Sequence, residues 1–361
     1  MILGIESSCD ESALALYDRE DGVVEEWVNS QIIKHAEYGG VVPDLAVRQH
    51  LTNFFPLLNL VNKKYNLAEQ VTEIAVTCGP GLIGCLGVGI SVAKTLGKLW
   101  EVPVHGVNHL RGHALSPFMK GRRLSSSWDD GFPHLGLLVS GGNTLLFEID
   151  RYRKIKVIGR TKDDAVGEAL DKGAKLLGIP YPGASELEKH AKSGDAKAYS
   201  FPRAFQSRKN YDFSFSGLKT SLLYTLQKMN DQEIQSRHAD LCASYQEAAV
   251  DQLAKKTRGF LESRKYKSFG LSGGVANNQV LRDRLMLICE EEKVLFLPAE
   301  SKHTGDNAAM IAHASHYDPV GVWPNENGRL NFNPGLTLES IPAKIYMFYE
   351  NAILATATKN N

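Results

Sequence analysis

Apolar and polar positions alternate with a period of two near the start of the chain and then shift to a helical period. The runs "ILGIE", "ALALYD" and "VVEEWVNS" are short and strand-like and are joined by polar or glycine turns, a pattern that predicts a β-meander. A helical stretch follows from Pro43 to about Lys63. After it come "EIAVTCGPG" as a strand and glycine turn, "GCLGVGISVAKTLGKLW" as a helix and "VPVHGV" as a strand. "VNHLRGHALSP" then opens another helix, and the Ser- and Asp-rich "GRRLSSSWDDGFP" reads as a linker.

The pattern then restarts. "LGIESSCDESALALYD" (3–18) aligns without gaps on "LGLLVSGGNTLLFEID" (135–150). Leu3, Gly4, Ser8, Leu14 and Asp18 match Leu135, Gly136, Ser140, Leu146 and Asp150. The second half also repeats the order of elements: "KIKVIGR" as a third strand, helices from Asp163 onward, "SFGLSGG" as a strand, a helix from Asn277, then "VLFLPA". Two such halves describe the α/β, two-lobed, duplicated ribonuclease H-like architecture of actin, hexokinase and the heat-shock chaperones. That fold holds nucleotide phosphates between its lobes on the hairpin turns. The expected division is 1–120 with about 303–318 as the first lobe, 121–133 as linker, 134–302 as the second lobe, and 319–361 as a tail without an assigned role.

Charge narrows the partners. Lys plus Arg (41) equals Asp plus Glu (41), so any nucleic-acid site has to be a local patch. The longest nearly apolar run, "LIGCLGVGISVA", is too short and glycine-rich to span a bilayer, and "MILGIESSCDES" is no signal peptide, so a cytoplasmic location is expected. The five cysteines are scattered without a CxxC, which reads as reduced thiols.

Candidate chemistry sits in turns. "CGPGLIG", "VSGGNT" and "LSGGVANN" each follow a strand, where backbone N–H groups can receive a phosphate or carboxylate, or where glycine simply lets the chain turn. None fits a P-loop or a dinucleotide fingerprint. An ATP-dependent small-molecule phosphotransferase on this fold is one activity such turns would serve. His109 and His113 lie four apart, so on a helix their Cβ atoms are roughly 5–6 Å apart, close enough to share a cation. Packed or capping histidines have the same spacing. Zinc proteases of the HExxH type carry Glu after the first His; here that position is Leu110, which argues against proteolysis. Two imidazoles leave a metal under-coordinated. Asp306, at the turn opening the helix of "KHTGDNAAMIAHA", is either a further ligand or an N-cap.

"GIESSCDES", "HAEYGGVVPDLAVRQHL", "GPGLIGCLGVG", "HLRGH", "LVSGG", "DDAVGEALDKGAKLLGIPYPG", "DFSFSGLKTSL", "SGGVANN" and "GDNAAMIA" occur in this order. Over roughly residues 1 to 320 the chain resembles the tRNA N6-adenosine threonylcarbamoyltransferase family (TsaD), once labelled a sialoglycoprotein endopeptidase. The resemblance implies transfer of threonylcarbamoyl from threonylcarbamoyl-adenylate to the adenosine next to the anticodon in tRNAs reading ANN codons. It implies His109, His113 and Asp306 as ligands of one divalent metal, Fe(2+) first and Zn(2+) second. It further implies Leu138, Val139, Ser140, Gly141 and Gly142 as the substrate turn, with Asp171, Gly183, Ala184 and Asn278 at or beside other nucleotide contacts.

Several positions depart from the common bacterial pattern: Asn108 where many relatives have His, Asn143 after "SGG", and Ala184 for a second glycine. His105 matches no ligand. Asp10 and Glu11, in the first hairpin turn, are candidates for positioning the amine or accepting its proton, or are solvated turn acids. In "FPRAFQSRKNYDFSFSGLK" (201–219), Arg203, Arg208, Lys209 and Lys219 interleave with aromatics, as an RNA loop would require, or as a core with a charged rim would. The bacterial relatives work with a TsaB-like paralogue and a TsaE-like ATPase; the same partners are expected here.

Overall fold

The computed structural model describes residues 1–119, 128–207, 210–324 and 330–342. It divides into two compact units. One comprises Met1–Gln31, Val42–Leu115 and the described residues from Asn307 on; the other comprises Ile32–Val41 and Ser116–Asp306.

The first unit holds β1 (Ile2–Glu6), β2 (Glu11–Asp18), β3 (Gly22–Ser30), β4 (Glu73–Gly79) and β5 (Val104–Asn108). The second holds β6 (His134–Val139), β7 (Thr144–Ile149), β8 (Ile155–Arg160), β9 (Ser268–Ser272) and β10 (Leu295–Pro298), and β11 (Val322–Pro324) returns to the first. The sheets run β11-β5-β4-β1-β2-β3 and β10-β9-β6-β7-β8. In each, an antiparallel meander is followed by two parallel strands, in the same spatial order. The duplicated α/β fold expected from the pattern is therefore present.

The repeat holds residue by residue. Leu3 pairs with Leu16 and Ile5 with Leu14, while Leu135 pairs with Glu148 and Leu137 with Leu146. Every one of these positions is displaced by the offset of the gapless alignment. Strands β1 and β6 are buried on both faces, which is why they read as continuous apolar runs rather than alternating ones. The core of the first unit gathers Leu3, Ile5, Leu14, Leu16, Phe54, Ile74 and Val76. That of the second gathers Leu135, Leu137, Val139, Leu146, Phe213, Phe215 and Tyr245.

Of the expected linker, the part up to residue 127 lies outside the described residues, and Trp128–Gly131 is a 3-10 turn. No helix among the described residues is long and apolar enough to cross a membrane. None of the five cysteines is in a disulfide. Burial pushes the Cys78, Cys242 and Cys289 thiols up to about 12 and Cys85 to about 11, so these four are protonated and unreactive near neutral pH.

His134 opens β6 fully buried, its Nδ1 2.7 Å from Ser268 Oγ on β9. Burial holds its pKa down to about 3, so the folded state keeps it neutral. Between pH 3 and the ordinary value of 6.5 the unfolded chain binds the extra proton, and stability falls as pH falls. The slope grows as pH falls through 6.5 and approaches roughly 1 kcal/mol per pH unit well below it. His134→Gln should lose less stability than the wild type between pH 7.5 and 5.5, measured as urea midpoints; equal losses would rule this contribution out.

Candidate metal and substrate site

The site begins where β1 ends. Glu6 is fully buried, yet its carboxylate accepts the Ser8 N–H at 2.5 Å and the Thr77 hydroxyl at 2.5 Å. It also lies 3.1 Å from His109 Nδ1, and Ser8 Oγ lies 3.2 Å from the same nitrogen. A buried carboxylate is retained when its charge is answered by several donors. With Nδ1 engaged by Glu6, Nε2 is the nitrogen that a cation would meet, and a carboxylate in this place would set the tautomer and raise the basicity of such a ligand.

His109 and His113 stand on the short helix His109–Leu115, both buried, their ring centroids 4.7 Å apart with planes at 89°. Asn108 immediately precedes that helix, its Oδ1 accepting the Leu110 N–H at 2.9 Å. The departure from the bacterial pattern thus serves as a local cap. Gly112 lets the helix Ala308–Tyr317 approach: a Cβ there would lie 3.1 Å from both Ile311 Cδ1 and Met310 Cγ. That approach brings in the preceding turn. The ligand atoms of His109, His113 and Asp306 lie within 4.8 Å of one another. The N-cap of Ala308–Tyr317 is Asn307, whose Oδ1 accepts the Met310 N–H at 2.8 Å, so capping does not account for Asp306. Two imidazoles and one carboxylate suit a borderline divalent ion such as iron(II) or zinc. His105 lies in β5, outside this group.

In the second unit, Leu138 and Val139 are fully buried strand residues, and only Ser140, Gly141 and Gly142 reach the surface. The turn is closed by Ser140 N–H to Asn143 O at 2.8 Å and by Asn143 N–H to Ser140 Oγ at 3.0 Å. The following helix, Val166–Leu176, starts against it: Thr144 Oγ1 accepts the Val166 N–H at 2.8 Å, and Gly167 N–H reaches Ser140 O at 3.2 Å. Gly273, after β9, packs on Val139, while Gly274, Gly141 and Gly142 have open space where a Cβ would be. The turn that carries Asp306 is tied to the β9 turn by Asn277 Nδ2 to Thr304 Oγ1 at 2.6 Å.

Asp171 Oδ1 accepts the Ala184 N–H at 2.7 Å, at the start of the helix Gly183–Ala191. Burial pushes the Asp171 carboxyl up, and the Ala184 and Gly183 amides pull it back. Asn278 caps Gln279–Glu292 through the Leu281 N–H and donates to Gln246 Oε1 at 2.8 Å. Both side chains therefore have structural work of their own. Asp10 is buried and its carbonyl accepts the Gln31 N–H; Glu11 accepts from Ser30 Oγ at 3.2 Å.

In the basic-aromatic stretch, Phe201, Phe213 and Phe215 are core and Arg203 pairs with Asp251 at 3.0 Å. Lys219 is exposed, Phe205 partly so, and Arg208 and Lys209 lie outside the described residues. Glu6, beside His109, and Thr77, beside Glu6, belong to the candidate site and were not disclosed by the sequence. The only signal was a carboxylate at the end of an otherwise apolar strand.

The architecture is that of the actin and hexokinase class. HypF in its phosphate- and nucleotide-bound form matches with a TM-score of 0.58 at 12% identity, over 88% of this chain and 46% of that one. Component A of the (R)-2-hydroxyglutaryl-CoA dehydratase of Acidaminococcus fermentans matches with a TM-score of 0.50 at 15% identity, over 87% and 98%. Within that class, the family model of TsaD, the tRNA N6-adenosine threonylcarbamoyltransferases, matches residues 22–313. The tRNA N6-adenosine threonylcarbamoyltransferase of Anaeromyxobacter sp. (strain Fw109-5) is 44% identical over 316 residues, 87% of this chain and 92% of that protein. The chain belongs to the tRNA N6-adenosine threonylcarbamoyltransferase family.

Proposed function

We propose that the chain transfers threonylcarbamoyl from threonylcarbamoyl-adenylate to the N6 amine of the adenosine 3′-adjacent to the anticodon in tRNAs reading ANN codons. A bond forms between N6 and the carbamoyl carbon, the bond from that carbon to the phosphate oxygen breaks, AMP leaves and one proton is released. The observation that carries this reading is the convergence of His109, His113 and Asp306 within 4.8 Å in a chain of this family. These residues would hold Fe(2+), or failing that Zn(2+). When bound, such an ion supplies Lewis acidity for the acyl-phosphate oxygens.

The chain's own groups do the rest. The N–H groups of Gly141, Gly142 and Gly274 are offered to the phosphate and carboxylate of the donor, where open space lets a ligand reach the backbone. Leu138, Val139 and Ser140 shape that turn. Asp171, Gly183, Ala184 and Asn278 line the nucleotide's side of the site. Asp10 or Glu11 positions the amine and takes its proton. The amine is a poor nucleophile, so holding it against the activated carbonyl supplies much of the rate.

A TsaB-like paralogue and a TsaE-like ATPase are the proposed partners, in the cytoplasm, where free thiols persist. Leu51 and Phe55, four apart on the helix Pro43–Tyr65, are exposed apolar side chains of the kind a partner covers. With zero formal net charge, binding of tRNA would lean on such partners and on local groups such as Lys219.

The test is to incubate the purified chain and those partners with threonylcarbamoyl-adenylate and unmodified tRNA. Modified adenosine and AMP should form in equal amounts and stop with a chelator. AMP release without modified tRNA, or ATP-dependent phosphorylation of a small substrate, would overturn the reading.

A further inference from the structure

The match to the family model ends at residue 313, and Asp318 and Leu338 beyond it reach the helix that carries the histidines. Asp318 closes the helix Ala308–Tyr317 and meets Arg111, which stands between His109 and His113. The contact is a two-pronged pair: Arg111 Nε donates to Asp318 Oδ2, and Nη2 donates to Oδ1 at 2.8 Å. The third arm, Nη1, donates to Leu338 O at 3.2 Å. Arg111 and Asp318 are 2% and 3% exposed, so this pair is inside the protein.

The described parts of the segment between these contacts, 319–324 and 330–337, also reach the neighbouring strands. Strand β11 pairs antiparallel with β5, which runs directly into the histidine helix. Asn108 Nδ2 donates to Thr337 O at 2.8 Å, and Asn333 N–H donates to Cys78 O at 2.7 Å. Leu330 and Leu336 are anchored in the core of the first unit. A buried ion pair adds little net stability against an apolar pair of the same shape, but its fork fixes position. The seven-residue helix is held on one side by Glu6 and Ser8 at His109 and by the packing of Gly112 on Met310 and Ile311, and Asp318 and Leu338 fix it from another through Arg111.

We propose that this C-terminal strap helps position the metal helix, with Arg111 and Asp318 as its positioning residues. The proposal rests on the reading of His109, His113 and Asp306 as metal ligands. It deepens that reading by making the Arg111–Asp318 pair a determinant of the geometry of His109 and His113.

The test uses the full chain loaded with cobalt(II), whose visible spectrum reports coordination geometry. Arg111→Lys keeps the charge but not the fork; the double variant Arg111→Met with Asp318→Leu replaces the pair by apolar side chains. Both should bind cobalt at least about tenfold more weakly with an altered spectrum. The double variant should unfold at a temperature close to that of the wild type. In the transfer assay kcat should fall while KM for tRNA is unchanged. Wild-type cobalt affinity and spectrum in either folded variant would overturn the strap, and a wild-type chain that binds no cobalt would overturn the metal reading with it.

Discussion

His109→Ala should yield a folded chain that has lost its divalent ion and at least about a hundredfold of its transfer rate. Lewis-acid assistance is worth several kcal/mol, and about 3 kcal/mol already corresponds to about two orders of magnitude in rate. The remaining donors, His113 and Asp306, leave the ion under-coordinated. Glu6→Gln should fall between the variant and the wild type, with metal affinity reduced about 10- to 100-fold. The reason is the direction of one hydrogen bond. A glutamine amide can donate to His109 Nδ1, which places the ring proton on Nε2, the nitrogen needed for coordination. Metal content by elemental analysis and modified adenosine by mass spectrometry check both variants. A metal-free His109→Ala chain with wild-type activity would remove the metal from the reaction.

What the sequence shows and what it hides divide along separation in the chain. The hairpins were legible because their pairing is local, and one offset relates Leu3 with Leu16 to Leu135 with Glu148. The two-residue alternation and the glycine turns mark such pairs from within a short window. His109 and His113 were legible as a pair for the same reason, but spacing did not separate a ligand pair from packed histidines. What spacing could not supply is the third group: Asp306, 193 residues after His113, joins the pair only in the fold, and Asn307 rather than Asp306 caps the next helix. Glu6 could not be read, because its partners Thr77 and His109 lie 71 and 103 residues away. Arg111 and Asp318, 207 residues apart, look like any surface charges until the fold buries them. Phe213 and Phe215, beside Arg and Lys, allow either a stacking platform or a core with a charged rim, and their burial is that of the core.

The glycine turns allow a test in which stability and binding separate. Gly141 and Gly142 have no left-handed φ, and an added Cβ on either meets no protein atom within 4 Å. Alanine at either site is therefore expected to leave folding unchanged, or to stabilise it by about 0.4–1 kcal/mol through the unfolded chain. If the donor's phosphate or carboxylate sits against these amides, the new methyl group occupies the ligand's space and lengthens a charged hydrogen bond. Such bonds contribute about 1.5–3 kcal/mol, so kcat/KM for threonylcarbamoyl-adenylate should fall roughly 10- to 150-fold. Gly273→Ala is the contrasting case. Its φ is +88° and its Cβ would lie 2.3 Å from Val139 O, so it should lower the melting temperature whatever the ligand does. Stable Gly141→Ala and Gly142→Ala chains with wild-type kcat/KM would mean that the donor is held elsewhere, because nothing in the protein's own packing or backbone conformation then requires glycine at this turn.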